Sequence, residues 1–260
     1  MTLEVENVQF AYKNHPVLQG VDFAAEAGKC ICLLGENGAG KTTLFRCILG
    51  LLNDYQGSIN VEGVNGKKLT MRELAKKIAY IPQAHEPTFN YTVFETVLMG
   101  TNILVGGFRS PGDDERKIVW EMLDLLNITH LAERGYAEIS GGERQLALIA
   151  RALAQKSRIL VMDEPTANLD YGNQMRVMQQ IKKLTKIGYL VVLSTHNPEH
   201  ALLYADKVLV LKDGIAIEFG DPEDVLTPEM IDKVYAVSVE LQKVRARWGK
   251  VPVFVPCVQW

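Results

Sequence analysis

No apolar run in the 260 residues approaches the roughly 20 that a bilayer-spanning helix needs, so the chain is not expected to cross a membrane itself. The opening residues, Met1-Thr2-Leu3-Glu4-Val5-Glu6, lack the basic and apolar regions of a secretory signal, and a mature cytosolic N-terminus is the expectation. A surplus of positive charge is also missing. The net charge of −3 gives no electrostatic reason to expect nucleic acid as the main partner. The four cysteines, Cys30, Cys32, Cys47 and Cys257, offer neither C-x₂-C spacing nor a second ligand pair, which excludes a structural zinc site. Cys30 and Cys32 sit two apart, on one face of a strand, and buried thiols in a reducing compartment are expected. Long linkers, internal repeats and sustained heptads are absent as well. What remains is 47% hydrophobic and 23% charged, the composition of an ordinary globular domain.

One stretch organises the rest. Gly35-Glu36-Asn37-Gly38-Ala39-Gly40-Lys41-Thr42 fits G-x-x-x-x-G-K-[ST] at every fixed position. A glycine-rich loop turns its backbone N–H groups inward to make an anion site. The following helix adds its unpaired N–H groups and the positive end of its dipole. Lys41 can reach β- and γ-phosphates, and the Thr42 hydroxyl can ligate Mg²⁺. The context supports the motif: Lys29 to Leu34 reads as a buried strand entering the loop. Thr43 to Leu49 reads as the helix leaving it, with Leu44, Ile48 and Leu51 on one face. A nucleoside triphosphate is the expected ligand.

Along the chain, residues 2–10 and 17–25 read as two strands, the first with an imperfect period of two. Gly57 to Val61 and Ile78 to Ile81 are further strands, and Val93 to Met99 starts a helix. Between about 114 and 126, Ile118, Val119, Met122, Leu123 and Leu126 recur at helical spacing. Arg158 to Met162 and Tyr189 to Leu193 are apolar runs of the kind buried on both faces. Helix 171–187 lies between them, and Asp213-Gly214 turns one late strand into the next. Prolines 222 and 228 each stand near the first turn of a helix. The alternation predicts an α/β fold with a parallel sheet covered by helices.

In such sheets ligands sit at the carboxyl ends of the strands. Four ends carry polar groups here: the phosphate loop, Gln83, Asp163-Glu164 and Thr195-His196. Asp163 suits a Mg²⁺ ligand beside Thr42, and Glu164 could polarise an attacking water. Taken alone, Asp-Glu-Pro after a strand is also a polar turn, His196 a structural histidine and Gln83 an exposed loop residue. The shared strand-end geometry is what brings them together. Ser140-Gly141-Gly142-Glu143 is a capping box, yet two glycines are costly in a first helical turn. They make sense where a phosphate approaches the backbone, which suggests a second anion site serving a nucleotide held by another copy of the chain.

These motifs in this order resemble the ATPase subunit of an ATP-binding cassette (ABC) transporter. The match covers about residues 1–225 and runs through the phosphate loop, Gln83, Ile139-Ser140-Gly141-Gly142-Glu143, Asp163-Glu164, Ala167-Asn168-Leu169-Asp170 and His196. The resemblance implies a P-loop ATPase of ABC type: a mostly parallel core sheet, an antiparallel β subdomain, a helical insertion at about 84–155 and an extension at 226–260. It implies ATP and Mg²⁺, with Gly35, Glu36, Asn37, Gly38, Ala39, Gly40, Lys41, Thr42 and Thr43 on the phosphates. Tyr12 stacks on the adenine, Thr42, Gln83 and Asp163 hold the metal, Glu164 is the base, and His196 contacts the γ-phosphate beside Gln83. Ser140, Gly141, Gly142, Glu143 and Asp170 serve the partner's nucleotide in a two-fold ATP sandwich. The family more often has Gln at 143, so Glu143 is expected to point back into its cap. A polytopic permease with an extracytoplasmic binding protein is implied, on the cytoplasmic face of the membrane, with Phe89, Tyr91 and Phe94 as docking aromatics. Val97 to Gly100 and Leu169 to Gln174 look like the importer branch for iron–siderophores, haem, cobalamin or oxyanions. The alternative is a soluble cassette ATPase of iron–sulfur assembly or of nucleic-acid and ribosome work. The basic run Lys243, Arg245, Arg247 and Lys250 near Trp248 reads as a solvated face.

Overall fold

The computed structural model describes residues 2–83, 91–105, 110–247 and 249–257. Strand β1 (Thr2–Tyr12) pairs antiparallel with β2 (His15–Glu26). Then β3 (Cys30–Leu34) enters the phosphate loop and α1 (Lys41–Ile48) leaves it. Strands β4 (Gln56–Val61) and β5 (Val64–Asn65) follow, then α2 (Met71–Lys77) and β6 (Ile78–Ile81). Helices α3 (Val93–Leu98), α4 (Asp113–Leu125) and α5 (Gly141–Ala154) lie between β6 and β7 (Ile159–Met162). After α6 (Tyr171–Lys186), β8 (Leu190–Thr195) and α7 (Pro198–Tyr204) come the paired β9 (Lys207–Lys212) and β10 (Ile215–Gly220). Helices α8 (Pro222–Val225) and α9 (Pro228–Tyr235) lead to a hairpin of β11 (Val239–Ala246) and β12 (Gly249–Pro256).

Among the described residues the core sheet has the order β10-β9-β3-β8-β7-β6, parallel except for the β9–β10 pair. A second, antiparallel sheet has the order β2-β1-β4-β5. Strands β3, β7 and β8 are buried along their whole length, which is why they read as unbroken apolar runs. Their side chains alternate between two cores. Cys30, Cys32, Leu160, Met162, Val191 and Leu193 join the cluster on the side of α4, α5 and α6. Ile31, Leu33, Ile159, Val161, Leu190 and Val192 join the cluster with α1 and the antiparallel sheet. Because the strands run parallel, Leu34, Thr195, Met162 and Ile81 all end at one edge, and the polar loops after them converge there.

Several expectations are adjusted. The imperfect period of β1 has a cause: Asn7 takes φ 44° at a register shift between Val5 and Val8, so Leu3, Val5, Val8 and Phe10 all turn inward. Leu51 does not continue the buried face of α1. The helix ends at Ile48, Gly50 takes φ 68°, and Leu51 stands 57% exposed. Cys30, Cys32 and Cys47 are buried free thiols, and burial pushes Cys30 up to about 12, but Cys257 is exposed. Phe94 is no docking aromatic. Its ring is buried under Trp120, 5.1 Å between centroids, with the Arg116 guanidinium over it. Tyr91 is exposed, and Phe89 lies outside the described residues. Residues 239–256 form a β11–β12 hairpin that the sequence reading does not anticipate, its second strand carrying Pro252 and Pro256, residues that argue against a strand in a local pattern. Lys243, Arg245 and Lys250 do lie exposed on it, whereas nothing is described of Trp248. Val225, Leu226, Ile231 and Val234 pack into the same apolar cluster as β3.

Candidate active site

The phosphate loop lines a pocket with Asn37, Gly38, Gly40, Lys41, Thr42 and Glu164 on its walls. Lys41 is the organising cation. Its ammonium is buried and donates to the carbonyls of Gly35 at 2.7 Å and Glu36 at 2.9 Å. Burial pulls it below the ordinary lysine range, while Glu164 and Asp163 pull the other way. Thr42, in the first turn of α1, donates its hydroxyl to Asp163 Oδ2 at 2.9 Å. That bond joins the phosphate loop to the end of β7, residues 121 apart in the chain. The two groups are hard oxygens, the donor type Mg²⁺ takes, and one carboxylate with one hydroxyl suits a metal that keeps phosphate and water as its other ligands. Residues Thr42 and Asp163 therefore fit that ion.

Glu164 follows Asp163 in the left-handed region, φ 45°, unusual for a side chain with a Cβ. From there its carboxylate lies between Lys41 and His196: Oε1 is 3.7 Å from Lys41 Nζ, and Oε2 is 3.3 Å from His196 Nδ1. Glu164 is mostly buried, whereas the His196 ring is 57% exposed. Gln83, half-buried at the end of β6, lines the same cavity as Glu164, Thr166, Asn168, His196 and His200. Tyr12 ends β1 with its ring 40% exposed, braced edge-on by Phe10 at 4.8 Å. Its hydroxyl accepts a bond from Arg46 of α1, which ties it to the phosphate-loop helix.

The turn 140–143 stands apart from this pocket and does not contribute to its lining. The capping box forms as expected. Glu143 Oε2 accepts from Ser140 N–H at 2.8 Å and from the Ser140 hydroxyl at 2.7 Å, so the carboxylate is turned back on the cap. These bonds hold Glu143 below the usual glutamate range. For Gly142 the structure adds a reason the sequence did not carry: a Cβ there would fall 2.8 Å from Asn173 Cβ and closer still to its Cγ and Oδ1. Asn173 also donates from N–H at 3.0 Å and from Nδ2 at 2.6 Å to Asp170, the N-cap of α6. The Gly141-Gly142 turn and the Asp170 loop are thus packed together through one side chain.

Four residues escaped the sequence reading. Arg46 and Asn173 are ordinary helical polar residues in any local pattern. His200 is buried, its Nδ1 3.4 Å from Thr166 Oγ1, and burial with His196 nearby holds its pKa down. Ser194 is buried inside an apolar strand, donating to Asp163 Oδ1 at 2.6 Å and accepting Glu164 N–H at 2.9 Å. No short-range signal marks any of them.

A phosphate loop entering from a central parallel strand, with acidic and polar groups from three neighbouring strand ends around it, defines a P-loop nucleotide-binding domain of ABC type. The ABC transporter family model matches residues 18–167, and the chain belongs to that family. It is 40% identical over 241 residues to an uncharacterized ABC transporter ATP-binding protein of Haemophilus influenzae, covering 93% of this chain and 92% of the relative. It is 33% identical over 256 residues to the molybdate import ATP-binding protein MolC of the same organism, covering 98% and 96%. Among solved structures, an inward-facing metal-chelate type ABC transporter superposes with TM-score 0.88 at 32% identity, covering 99% of this chain and 98% of that one. The likeness therefore runs past residue 225, through the C-terminal hairpin.

Proposed function

We propose that this chain hydrolyses ATP to power import of a metal chelate or an oxyanion through a separate membrane permease. The observation that carries the chemistry is the Thr42–Asp163 bond at 2.9 Å, with Glu164 held between Lys41 and His196. Lys41 and the N–H groups of residues 38–43 receive the triphosphate, and Tyr12 offers its exposed ring to the base. Thr42 and Asp163 would hold Mg²⁺, with Gln83 reaching it from the adjoining cavity, and the bound ion would neutralise charge on the phosphates. A phosphate competes with Glu164 for Lys41, and so frees the carboxylate to take the proton of a water attacking the γ-phosphorus. His196, its ring half in solvent beside Glu164, contacts the γ-phosphate.

The chain works as a two-fold dimer, since its 140–143 turn does not line its own phosphate pocket and is available to a partner's nucleotide, with Asp170 beside it. No helix among the described residues is long and apolar enough to cross a membrane, so attachment to the cytoplasmic face runs through the permease. For its docking point, an apolar groove is lined by Leu49, Leu51, Met71, Leu74 and Tyr80, with Leu51 57% and Met71 53% exposed. It adjoins β6, the strand that delivers Gln83, and suits a short amphipathic helix of the permease. The cargo class follows from the likeness to the molybdate and metal-chelate systems. The test is co-purification from detergent-solubilised host membranes. A polytopic membrane protein at a one-to-one ratio, lost in a Leu51→Glu, Met71→Glu double variant, is expected. Soluble partners alone would refute the importer reading in favour of an assembly or nucleic-acid ATPase.

A further inference from the structure

Strand β8 lies between β3, which leads to the phosphate loop, and β7, which leads to Asp163. A side chain near its carboxyl end is the nearest to both. Ser194 occupies that place, with Leu33 of β3 as its register partner, and it is fully buried. A hydroxyl has one proton to donate and can also accept. Ser194 donates to Asp163 Oδ1 at 2.6 Å, a charge-assisted length, and accepts Glu164 N–H at 2.9 Å. The other carboxylate oxygen of Asp163 is taken by Thr42. One buried hydroxyl therefore shares with Thr42 and Tyr80 in fixing the Asp163 carboxylate, and also holds the peptide from which Glu164 departs.

That peptide needs fixing. Glu164 sits at φ 45°, a conformation costly for a residue with a Cβ, and it is this backbone that aims its carboxylate between Lys41 and His196. Without the acceptor, Glu164 N–H is left without this partner, and the strained conformer loses one of its holds, beside the Ala167 N–H on its carbonyl and the contacts of its carboxylate with Lys41 and His196.

We propose that Ser194 is a positioning residue of the ATPase site: it sets the metal-facing orientation of Asp163 and the aim of Glu164 together. The inference rests on the roles given above to Asp163 and Glu164. Its logic is that of a supporting hydrogen bond behind a metal ligand, whose loss commonly costs about 10- to 100-fold in metal affinity or activity.

The test uses the full chain, with Ser194→Cys, near in shape but a weak donor, and Ser194→Ala. Three readouts are taken: steady-state ATP hydrolysis, ADP affinity by calorimetry with and without Mg²⁺, and the melting temperature of the nucleotide-free chain. Expected is a kcat lower by about 10- to 100-fold with KM for ATP within about twofold. The gain in ADP affinity on adding Mg²⁺ shrinks several-fold, while ADP affinity without Mg²⁺ and the melting temperature of the Cys variant hold. Should the Ala variant fail to fold, the Cys variant carries the measurement. Turnover and Mg²⁺ gain at wild-type level in Ser194→Cys overturn the proposal. So does a loss of Mg²⁺-free ADP affinity in proportion to kcat, the mark of a merely structural residue. Glu164→Gln is run alongside. If it turns over at the wild-type rate, the reading of the site falls and this inference with it. If it is inactive while Ser194→Cys is normal, only this inference falls.

Discussion

Gly142→Ala changes the sign of its effect on stability according to what stands at position 173. Gly142 is the second residue of α5, where alanine is intrinsically the better helix former by up to about 1 kcal/mol. The new methyl meets Asn173. Its carbon would lie 2.8 Å from Asn173 Cβ, where ordinary contacts begin near 3.4 Å, and nearer still to Cγ and Oδ1. Asn173 has little freedom to yield: Nδ2 donates to Asp170, and Oδ1 accepts from Arg176 at 3.1 Å. Overpacking of this kind costs about 1–3 kcal/mol, which exceeds the propensity gain. Gly142→Ala alone should therefore destabilise by about 1 kcal/mol, a fall of a few °C in melting temperature for a chain of this size. In an Asn173→Gly background, where the Cβ as well as the amide is removed, the obstacle is gone, and the same substitution should be neutral or stabilising by about 0.5 kcal/mol. Thermal or denaturant unfolding of the four members of the cycle gives the coupling directly. Equal effects of Gly142→Ala in both backgrounds would refute the packing argument. They would leave the approach of a partner's phosphate as the reason for the glycine.

Lys41→Ala removes the buried cation that bridges the Gly35 and Glu36 carbonyls and faces Glu164. Nucleotide affinity should drop about 10- to 100-fold, from the loss of charge-assisted bonds to phosphate, and titration with a fluorescent nucleotide checks it. Wild-type affinity would remove Lys41 from the phosphate site. The capping box of α5 predicts an acid dependence. Hydrogen bonds from Ser140 hold the folded pKa of Glu143 below the ordinary 4.5, so its contribution is complete above pH 4.5 and lost as pH falls through the lowered value. Against Glu143→Gln, the wild-type melting temperature should hold an advantage at pH 6 that shrinks steadily below pH 4.5. A pH-independent difference would show that Glu143 does not cap as a carboxylate.

The local signals in the sequence carried the site's principal chemistry. Gly35 to Thr42 is read from spacing alone because an anion loop demands glycines, a lysine and a hydroxyl at fixed intervals along one short stretch. The buried runs of β3, β7 and β8 are equally local, as are the Ser140–Glu143 box and the Asp213-Gly214 turn, whose residues take φ 50° and 78°. Where partners are distant in the chain, the sequence was silent. Ser194 looks like any residue of an apolar strand until the order β3-β8-β7 places it beside Asp163 and Glu164. Gly142 has one local explanation and a second that appears only when Asn173 of α6 is set against it. Phe94 and Leu51 reversed their expected exposures because burial is decided by what packs above a residue: Trp120 over one, a helix end before the other. Composition and spacing fix which groups the backbone offers, since those choices are made within a few residues. Which groups then meet is set by strand order and helix packing, contacts between segments that no short window of sequence contains.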